Sequence, residues 1–210
     1  MLSDAIRGTQ PTPLLVVVSA PSGGGKTTLC RRLLAARPDF TYSVSCTTRK
    51  PRGNEEHGRA YFFLSEEEFE RRVREGAFLE HATVHGHRYG TLRSCVLEAL
   101  AAGRSVLLAI DVQGAAQIRK SIRESPAAGP LHNAFVDVFV EPPSLEVLRA
   151  RLAGRNEDSN AEIARRLSNA AEEMRHAPEY MHQIVNADLE SAYKDLVAVI
   201  VREQKARASG

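Results

Sequence analysis

The chain has 210 residues, of which 43% are hydrophobic and 26% are charged, and its formal net charge at pH 7 is +2. This length suits one domain with a full core, and so small a charge argues against binding nucleic acid or membranes through bulk electrostatics. Cys30, Cys46 and Cys95 are far apart and lack metal-ligand spacing, so we expect reduced thiols. No apolar run approaches the roughly 20 residues that cross a bilayer, and no signal-peptide pattern opens the chain. These features predict a cytoplasmic protein.

The apolar pattern predicts strands that alternate with helices along most of the chain. Residues 1–13 are polar, contain two prolines and are expected to form a loose leader. The predicted strands occupy 14–20, 60–64, 105–111, 134–140 and 183–187, with another from Thr41 to Pro51 and a hairpin over 77–91 that turns near Gly86. The predicted helices occupy 26–36, 65–76, 91–103, 113–123, 142–154, 160–175 and the chain from 188 onward, with loops at 124–130 and 154–160.

Strands rich in β-branched residues, such as LLVVVSA (14–20), indicate a parallel sheet that is buried on both faces. The segment from about 41 to 91 interrupts this alternation with hairpin-like strands of more exposed character. We interpret it as an inserted subdomain that binds a phosphate acceptor.

The stretch SAPSGGGKTTLC (19–30) is typical of a phosphate-binding loop. Its end matches the pattern G-x-x-x-x-G-K-[ST], although Ala20 replaces the first glycine. In this pattern backbone N–H groups surround a polyphosphate, the lysine contacts the terminal phosphates, and the next hydroxyl binds Mg²⁺. An ordinary glycine turn is the alternative, but the position between a buried strand and a helix favours nucleotide binding. The loop residues predicted to bind ATP are Ala20, Pro21, Ser22, Gly23, Gly24, Gly25, Lys26, Thr27 and Thr28, with Thr27 as the Mg²⁺ ligand.

The loop alone does not distinguish an ATPase, a GTPase switch and a kinase. The motifs APSGGGKTTL, SVSCTTRKPR, HGRAYFF, FLEH, YGT and IDVQGAAQIR occur in this order, followed by RLAGR, ARRLSNAAEEM and IVNADL. In order and spacing they resemble guanylate kinases over nearly the whole chain from Leu14 onward. The resemblance implies an α/β P-loop kinase that has a central parallel five-stranded sheet flanked by helices, an inserted mixed β subdomain for GMP and a helical lid.

The resemblance also implies Mg²⁺-dependent transfer of a phosphoryl group from ATP to GMP. We expect dGMP as a further acceptor and no nucleic-acid or membrane partner, while monomer and homo-oligomer both stay open. The implied division assigns 14–40, 92–143 and 176–210 to the core, 41–91 to the GMP-binding subdomain and about 144–175 to the lid.

By the same resemblance, the acceptor phosphate is held by Ser45, Arg49, Arg52, Tyr61 and Tyr89. Two guanidinium groups suit a dianionic phosphate, although TTRKPR read by itself is equally consistent with a basic surface turn. Guanine is read by the carboxylates of Glu80 and Asp111, with hydroxyls from Ser45 and Thr91. Carboxylates accept from guanine N1–H and its amino group, whereas adenine N1 is itself an acceptor. The alternative for Glu80 is a surface position on a hairpin.

The lid arginines implied by the resemblance are Arg151, Arg155 and Arg166, which with Lys26 and Arg49 form the predicted catalytic set. Arginines neutralise charge on the transferring phosphoryl group, and the alternative is the solvated face of two helices. Asn186 matches an adenine-contacting position, although an asparagine before a helix is also typical of a cap.

Four positions depart from the family pattern. Ala109 stands where the family usually has an acidic residue, which we expect to affect catalytic efficiency more than the fold. Asn156 and Glu157 alter the lid loop, and Arg88 replaces a common aromatic residue. A related kinase with another acceptor and a non-catalytic guanylate-kinase-like module are the alternatives. The retained guanine-reading set disfavours the first, and Lys26 and Thr27 disfavour the second.

Overall fold

A computed structural model describes residues 11–84, 86–124, 129–154 and 159–208. The strands in these ranges are β1 (Leu15–Ser19), β2 (Phe40–Tyr42), β3 (Cys46–Thr47), β4 (Phe62–Phe63), β5 (Phe78–Val84), β6 (His87–Leu92), β7 (Ser105–Ala109), β8 (Phe135–Glu141) and β9 (His182–Val185). The helices are α1 (Lys26–Ala36), α2 (Glu66–Arg74), α3 (Arg93–Ala101), α4 (Val112–Arg123), α5 (Pro130–Ala134), α6 (Leu145–Ala153), α7 (Asn160–Met174) and α8 (Leu189–Ala208), with a 3₁₀ turn at Ala177–Glu179.

Five strands form the central sheet, in the order β2-β7-β1-β8-β9, and all neighbouring pairs are parallel. Every residue of β1 is buried, as the continuous apolar run predicts for a central parallel strand. The α/β fold with a central parallel sheet is therefore confirmed. Its carboxyl edge, where β1 and β7 end, leads directly into the loops that precede α1 and α4.

The sheet is covered on both faces because side chains alternate along β1. Leu15 and Val17 pack in one core with residues of α3, α4 and α5. Leu14, Val16 and Val18 pack in a second core with residues of α1 and α8. Burying apolar surface stabilises a fold by about 25 cal/mol per Å². These two apolar layers are therefore the main source of stability.

A separate mixed sheet, in the order β4-β3-β6-β5, lies between β2 and α3 in the chain. It packs on α2, where the rings of Phe69 and Phe78 stack with centroids 4.6 Å apart. Ser65 caps α2, because its side chain accepts from the Glu68 N–H at 3.1 Å. This sheet corresponds to the interrupted segment that the sequence pattern indicates.

The strand expected from Thr41 to Pro51 is wrong as a single element. Its first part is β2, which pairs with β7, and its second part is β3, which belongs to the mixed sheet. Phe40 is buried in the central core whereas Cys46 is buried under α2, so the chain must change sheets between them. The short α5 and the 3₁₀ turn were not predicted, because elements of five and three residues give little periodicity.

Helices α6 and α7 pack against each other through their own small apolar cluster, which includes Leu148, Leu152, Ile163 and Ala170. They follow β8 and precede the 3₁₀ turn, where the sequence predicts a helical lid. In the ranges described, no helix has the length and apolarity that crossing a membrane requires.

Candidate active site

The glycine-rich loop joins the end of β1 to α1, as the phosphate-loop pattern requires. Gly23 and Gly25 have φ angles of +87° and +96°, which side-chain-bearing residues rarely adopt. A Cβ at Gly25 would also overlap the side-chain amide of Asn186. Helix α1 has no acidic residue in its first turn and no side-chain cap, so its first N–H groups remain available to an anion.

Lys26 connects this loop to the end of β7. Its Nζ donates to the carbonyl oxygen of Ile110 at 2.7 Å, one residue before Asp111. Burial lowers the pKa of the Lys26 ammonium, while neighbouring acidic groups that include Asp111 act in the opposite direction. The cation is therefore held at the carboxyl edge of the sheet, where α/β proteins bind ligands.

Asn186 supports the glycine loop from the end of β9. It is buried, and its Nδ2 donates to the carbonyl oxygen of Gly24 at 2.8 Å. Arg151 in turn donates to the Asn186 carbonyl oxygen at 2.7 Å. The cap of α8 is Asp188, whose carboxylate accepts from the Ser191 N–H, and not Asn186. An adenine contact by Asn186 stays a prediction.

Helix α7 contacts the same loop at Ser22. The Arg166 guanidinium donates to Ser22 Oγ at 3.0 and 3.2 Å, and the Ser22 N–H donates to Glu173 Oε2 at 3.3 Å. Burial raises the pKa of Glu173. Glu173 was not predicted, although its spacing of seven residues from Arg166 places both on one helix face. Arg155, Asn156 and Glu157 lie outside the described residues.

A cavity of about 230 Å³ opens between the central sheet and the mixed sheet. Five residues predicted for acceptor binding line it, namely Ser45, Tyr61, Glu80, Tyr89 and Asp111. Ala109 also lines it, together with Tyr42 and Ile110. Tyr42 was missed, although it ends a strand at the carboxyl edge of the central sheet, where ligand contacts are expected.

Two carboxylates face this cavity from different elements. Glu80 is 8% exposed on β5 and accepts from the Thr91 hydroxyl at 2.6 Å. Burial raises the pKa of Glu80, and the charge of Asp111 adds to this effect. Asp111 caps α4, with its Oδ1 accepting from the Gly114 N–H at 2.8 Å. The pair can accept hydrogen bonds from a ligand that presents several donors.

Arg49 lies beside the two cavity tyrosines. Its guanidinium carbon is 5.4 Å from the ring centroid of Tyr61, and its Nη2 donates to Glu55 at 2.9 Å. That hydrogen bond, together with one that Arg49 donates to the Tyr89 hydroxyl oxygen, raises the pKa of Arg49. The structure does not bring the Arg52 side chain to the cavity, because Arg52 lies on an exposed turn whose backbone N–H bonds to Glu55.

Residues 12–203 match the sequence model of a protein family described as guanylate kinase. The chain belongs to the guanylate kinase family. It is 49% identical over 211 residues to the guanylate kinase of Anaeromyxobacter dehalogenans, covering 100% of the chain and 89% of that protein. The guanylate kinase of Symbiobacterium thermophilum is 46% identical over 195 residues, covering 93% of the chain and 88% of that protein. A crystal structure of guanylate kinase from Anaplasma phagocytophilum aligns with a TM-score of 0.67 and 33% identity, covering 93% of the chain and 88% of that structure.

These matches confirm the guanylate kinase resemblance of the sequence motifs. As a member of this family the chain is an enzyme that phosphorylates GMP at the expense of ATP. The phosphate loop and the cavity are the two parts of the structure that suit a donor and an acceptor nucleotide.

Proposed function

We propose that the chain transfers the γ-phosphoryl group of Mg²⁺-bound ATP, held on the glycine loop, directly to GMP held in the cavity. The observation that carries this proposal is the position of Ile110. Ile110 lines the cavity, and its carbonyl oxygen accepts a hydrogen bond from Lys26 Nζ at 2.7 Å. The donor and acceptor sites therefore adjoin at the end of β7, which direct transfer requires.

In the proposed donor site, backbone N–H groups of the glycine loop, those of residues 25–27 among them, and the Lys26 ammonium bind the ATP phosphates. Thr27 is exposed in the first turn of α1, where its hydroxyl can be a Mg²⁺ ligand. Mg²⁺ usually takes one or two protein ligands beside phosphates and waters. Consistent with that, the described residues include no cluster of three or more His, Cys, Asp or Glu side chains that could hold a metal. When bound, the ion would neutralise charge on the phosphates.

In the proposed acceptor site, Glu80 and Asp111 accept from guanine N1–H and its amino group. Thr91 orients the Glu80 carboxylate through its 2.6 Å hydrogen bond. The proposed phosphate ligands are Ser45, Arg49, Tyr61 and Tyr89, with Arg52 joining them only if its exposed turn closes over the cavity. Because these assignments use the base and the phosphate and not the ribose hydroxyls, we include dGMP among the acceptors.

The transfer step needs positioning and charge neutralisation. An ionised oxygen of the GMP phosphate attacks the γ-phosphorus, the bond to the β-phosphate oxygen breaks, and ADP leaves with that oxygen, so no general base is required. Lys26, Arg151 and Arg166 are proposed to neutralise the transferring group. Arg49, beside the acceptor phosphate, and Arg155, outside the described residues, complete the predicted set. The Arg166 contact with Ser22 supports this role, because it already places the guanidinium at the loop.

The three-part division of the chain is proposed on the same basis, with 41–91 binding GMP, about 144–175 closing as a lid and the remainder of 14–210 forming the core. We also place the enzyme in the cytoplasm, in keeping with Cys30, Cys46 and Cys95, which are all free.

The deciding experiment is an acceptor-specificity assay. Purified protein with Mg²⁺ and ATP is tested against GMP, dGMP, AMP, CMP and UMP, with ADP and the nucleoside diphosphate both quantified. We expect GMP to have the highest kcat/KM, dGMP to be used, and EDTA to stop turnover. Equal use of AMP would contradict the roles of Glu80 and Asp111, and turnover undiminished in EDTA would contradict the role of Mg²⁺.

A further inference from the structure

Helix α4 links the two carboxylates of the acceptor site, although they come from different sheets. Asp111 is the N-cap of the helix, immediately before its first residue. One turn on, Gly114 packs against Glu80 of β5, and after another turn Gln117 contacts His81, the residue next to Glu80. Positions 114 and 117 lie on one face of α4, so this face runs along β5.

The Gln117 side chain makes two hydrogen bonds with the backbone of His81. Its Oε1 accepts from the His81 N–H at 3.0 Å, and its Nε2 donates to the His81 carbonyl oxygen at 2.9 Å. β5 is an edge strand, paired on its other side with β6. The glutamine amide thus occupies the place of a neighbouring strand and fixes β5 along α4.

Gly114 sets how closely the helix approaches Glu80. A Cβ built on Gly114 would lie 3.1 Å from Glu80 Oε2 and 3.5 Å from Asp111 Oδ1. Gly114 has no left-handed φ that would require glycine, so close approach is the reason for its small size here. The helix backbone therefore bonds to the Asp111 carboxylate and lies close to that of Glu80.

We propose that Gln117 is a positioning residue for guanine recognition, which holds β5 on α4 and so sets the separation of Glu80 and Asp111. This inference rests on the proposed function, in which both carboxylates read one guanine edge. Recognition by paired hydrogen bonds tolerates errors of only about 0.5 Å in donor–acceptor placement. Gln117 supplies the two hydrogen bonds that tie the strand carrying Glu80 to the helix that Asp111 caps.

The test compares Gln117→Met with Gln113→Met. Methionine keeps the length and helix propensity of glutamine but removes both hydrogen bonds. Gln113 is an exposed glutamine one turn earlier on α4, so the control makes the same change on the same helix. For Gln117→Met we expect the GMP KM to rise about tenfold, whereas kcat and the ATP KM change less than about twofold. Gln113→Met should match the wild type in all three.

Affinity for AMP, measured as competitive inhibition against GMP, separates positioning from general loosening of the site. Bound in the orientation of GMP, AMP presents the N1 acceptor and the C2–H group where guanine presents N1–H and its amino group, so its inhibition constant should be unchanged in Gln117→Met. If Gln117→Met weakens AMP and GMP equally, or leaves the GMP KM at the wild-type value, the inference is wrong. A wild-type enzyme that fails to prefer GMP would overturn the proposed function instead.

Gly114→Ala provides a second test that does not depend on loosening the fold. Alanine favours a helix over glycine by about 0.5–1 kcal/mol, which offsets part of the cost of the tighter contact with Glu80, so the protein should still fold and its thermal midpoint should shift little. The added Cβ should displace Glu80 and raise the GMP KM by about five- to tenfold. An unchanged GMP KM in Gly114→Ala would overturn the claim that α4 sets the position of Glu80, even if Gln117→Met failed to fold.

Discussion

The ionised form of Glu80 is disfavoured in the ligand-free protein and would be favoured by a bound guanine. The side chain is buried on β5, and the Thr91 hydroxyl is its hydrogen-bond partner in the structure described. Burial disfavours the charged carboxylate, and the nearby charge of Asp111 disfavours it further, so its pKa is raised. Guanine donors would favour the ionised form, so GMP binding would compensate for part of this cost.

This raised pKa predicts a pH dependence that Glu80→Gln removes. As pH falls through the raised pKa, Glu80 takes up a proton and loses an acceptor, so the wild-type GMP KM should rise at a pH above the usual titration range of glutamate. For Glu80→Gln we expect a GMP KM about 10- to 100-fold higher near pH 7, with this pH dependence absent. Steady-state kinetics from pH 5 to about 8 measures both effects, with the exposed Glu98→Gln as the control.

Ionisation of Glu80 should favour GMP binding but lower the stability of the ligand-free protein. The folded protein binds the Glu80 proton more tightly than the unfolded chain does, so this group lowers the free energy of unfolding as pH rises from the ordinary glutamate pKa through the raised one. Glu80→Gln should therefore be at least as stable as the wild type near pH 7 without ligand. A large loss of ligand-free stability in Glu80→Gln would show that the carboxylate serves the fold.

Motifs located the cavity residues better than they located their supports. Ser45, Glu80 and Asp111 were predicted and are brought together, because each lies within a motif next to a strand end. The contact of Gln117 with His81 spans 36 positions and depends on how a helix packs on a strand of another sheet. Local patterns carry no signal for such packing. The spacing from Arg166 placed Glu173 on the same helix face, but it gave no sign that this face packs on Ser22.

At the scale of elements, the phosphate loop depends on the junction between β9 and α8. Asn186 lies 162 positions after Gly24, yet its amide bonds to the Gly24 carbonyl oxygen and occupies the space beside Gly25. The loop therefore combines two requirements, glycine for its backbone angles and a buried amide from the far end of the sheet. The sequence pattern predicted the glycines, whereas the position of the Asn186 amide follows from the strand order β1-β8-β9.

Asn186→Ala should weaken ATP binding and leave GMP binding nearly unchanged. Removing the amide leaves the Gly24 carbonyl oxygen without this donor and opens space beside Gly25, which should cost about 1–3 kcal/mol of stability. We expect an ATP KM about tenfold higher, because a looser loop presents its N–H groups less well. Gln183→Ala, an exposed amide on the same strand, is the matched control. A rise in the GMP KM alone would contradict the support role of Asn186.

At the scale of the whole molecule, the end of β7 is shared by the two proposed binding sites, which otherwise use separate parts of the chain. Ile110 bonds to Lys26 through its carbonyl oxygen, and the next residue, Asp111, faces the cavity. The alternation of strands and helices predicted the central sheet and hence this shared edge. The same alternation did not predict where the chain leaves the central sheet. That point, between β2 and β3, depends on Phe40 packing in the central core and Cys46 packing in the core under α2.

This arrangement predicts that Lys26→Ala weakens ATP binding without weakening GMP binding. Lys26 makes its hydrogen bond at the cavity with a backbone carbonyl group and not with a proposed GMP-binding side chain, so its loss should leave GMP binding largely intact while removing a cation from the ATP phosphates. GMP at about 100 times its Kd stabilises a folded protein by about 2.7 kcal/mol, or about 5–10 °C in Tm for a chain of this size. We expect Lys26→Ala to keep this GMP shift, to lose most of the ATP shift, and to turn over about 10³-fold more slowly. Lys194→Ala, an exposed lysine on α8, should retain both shifts and full turnover. If Lys26→Ala lost the GMP shift but kept the ATP shift, the two sites would be assigned to the wrong sides of β7.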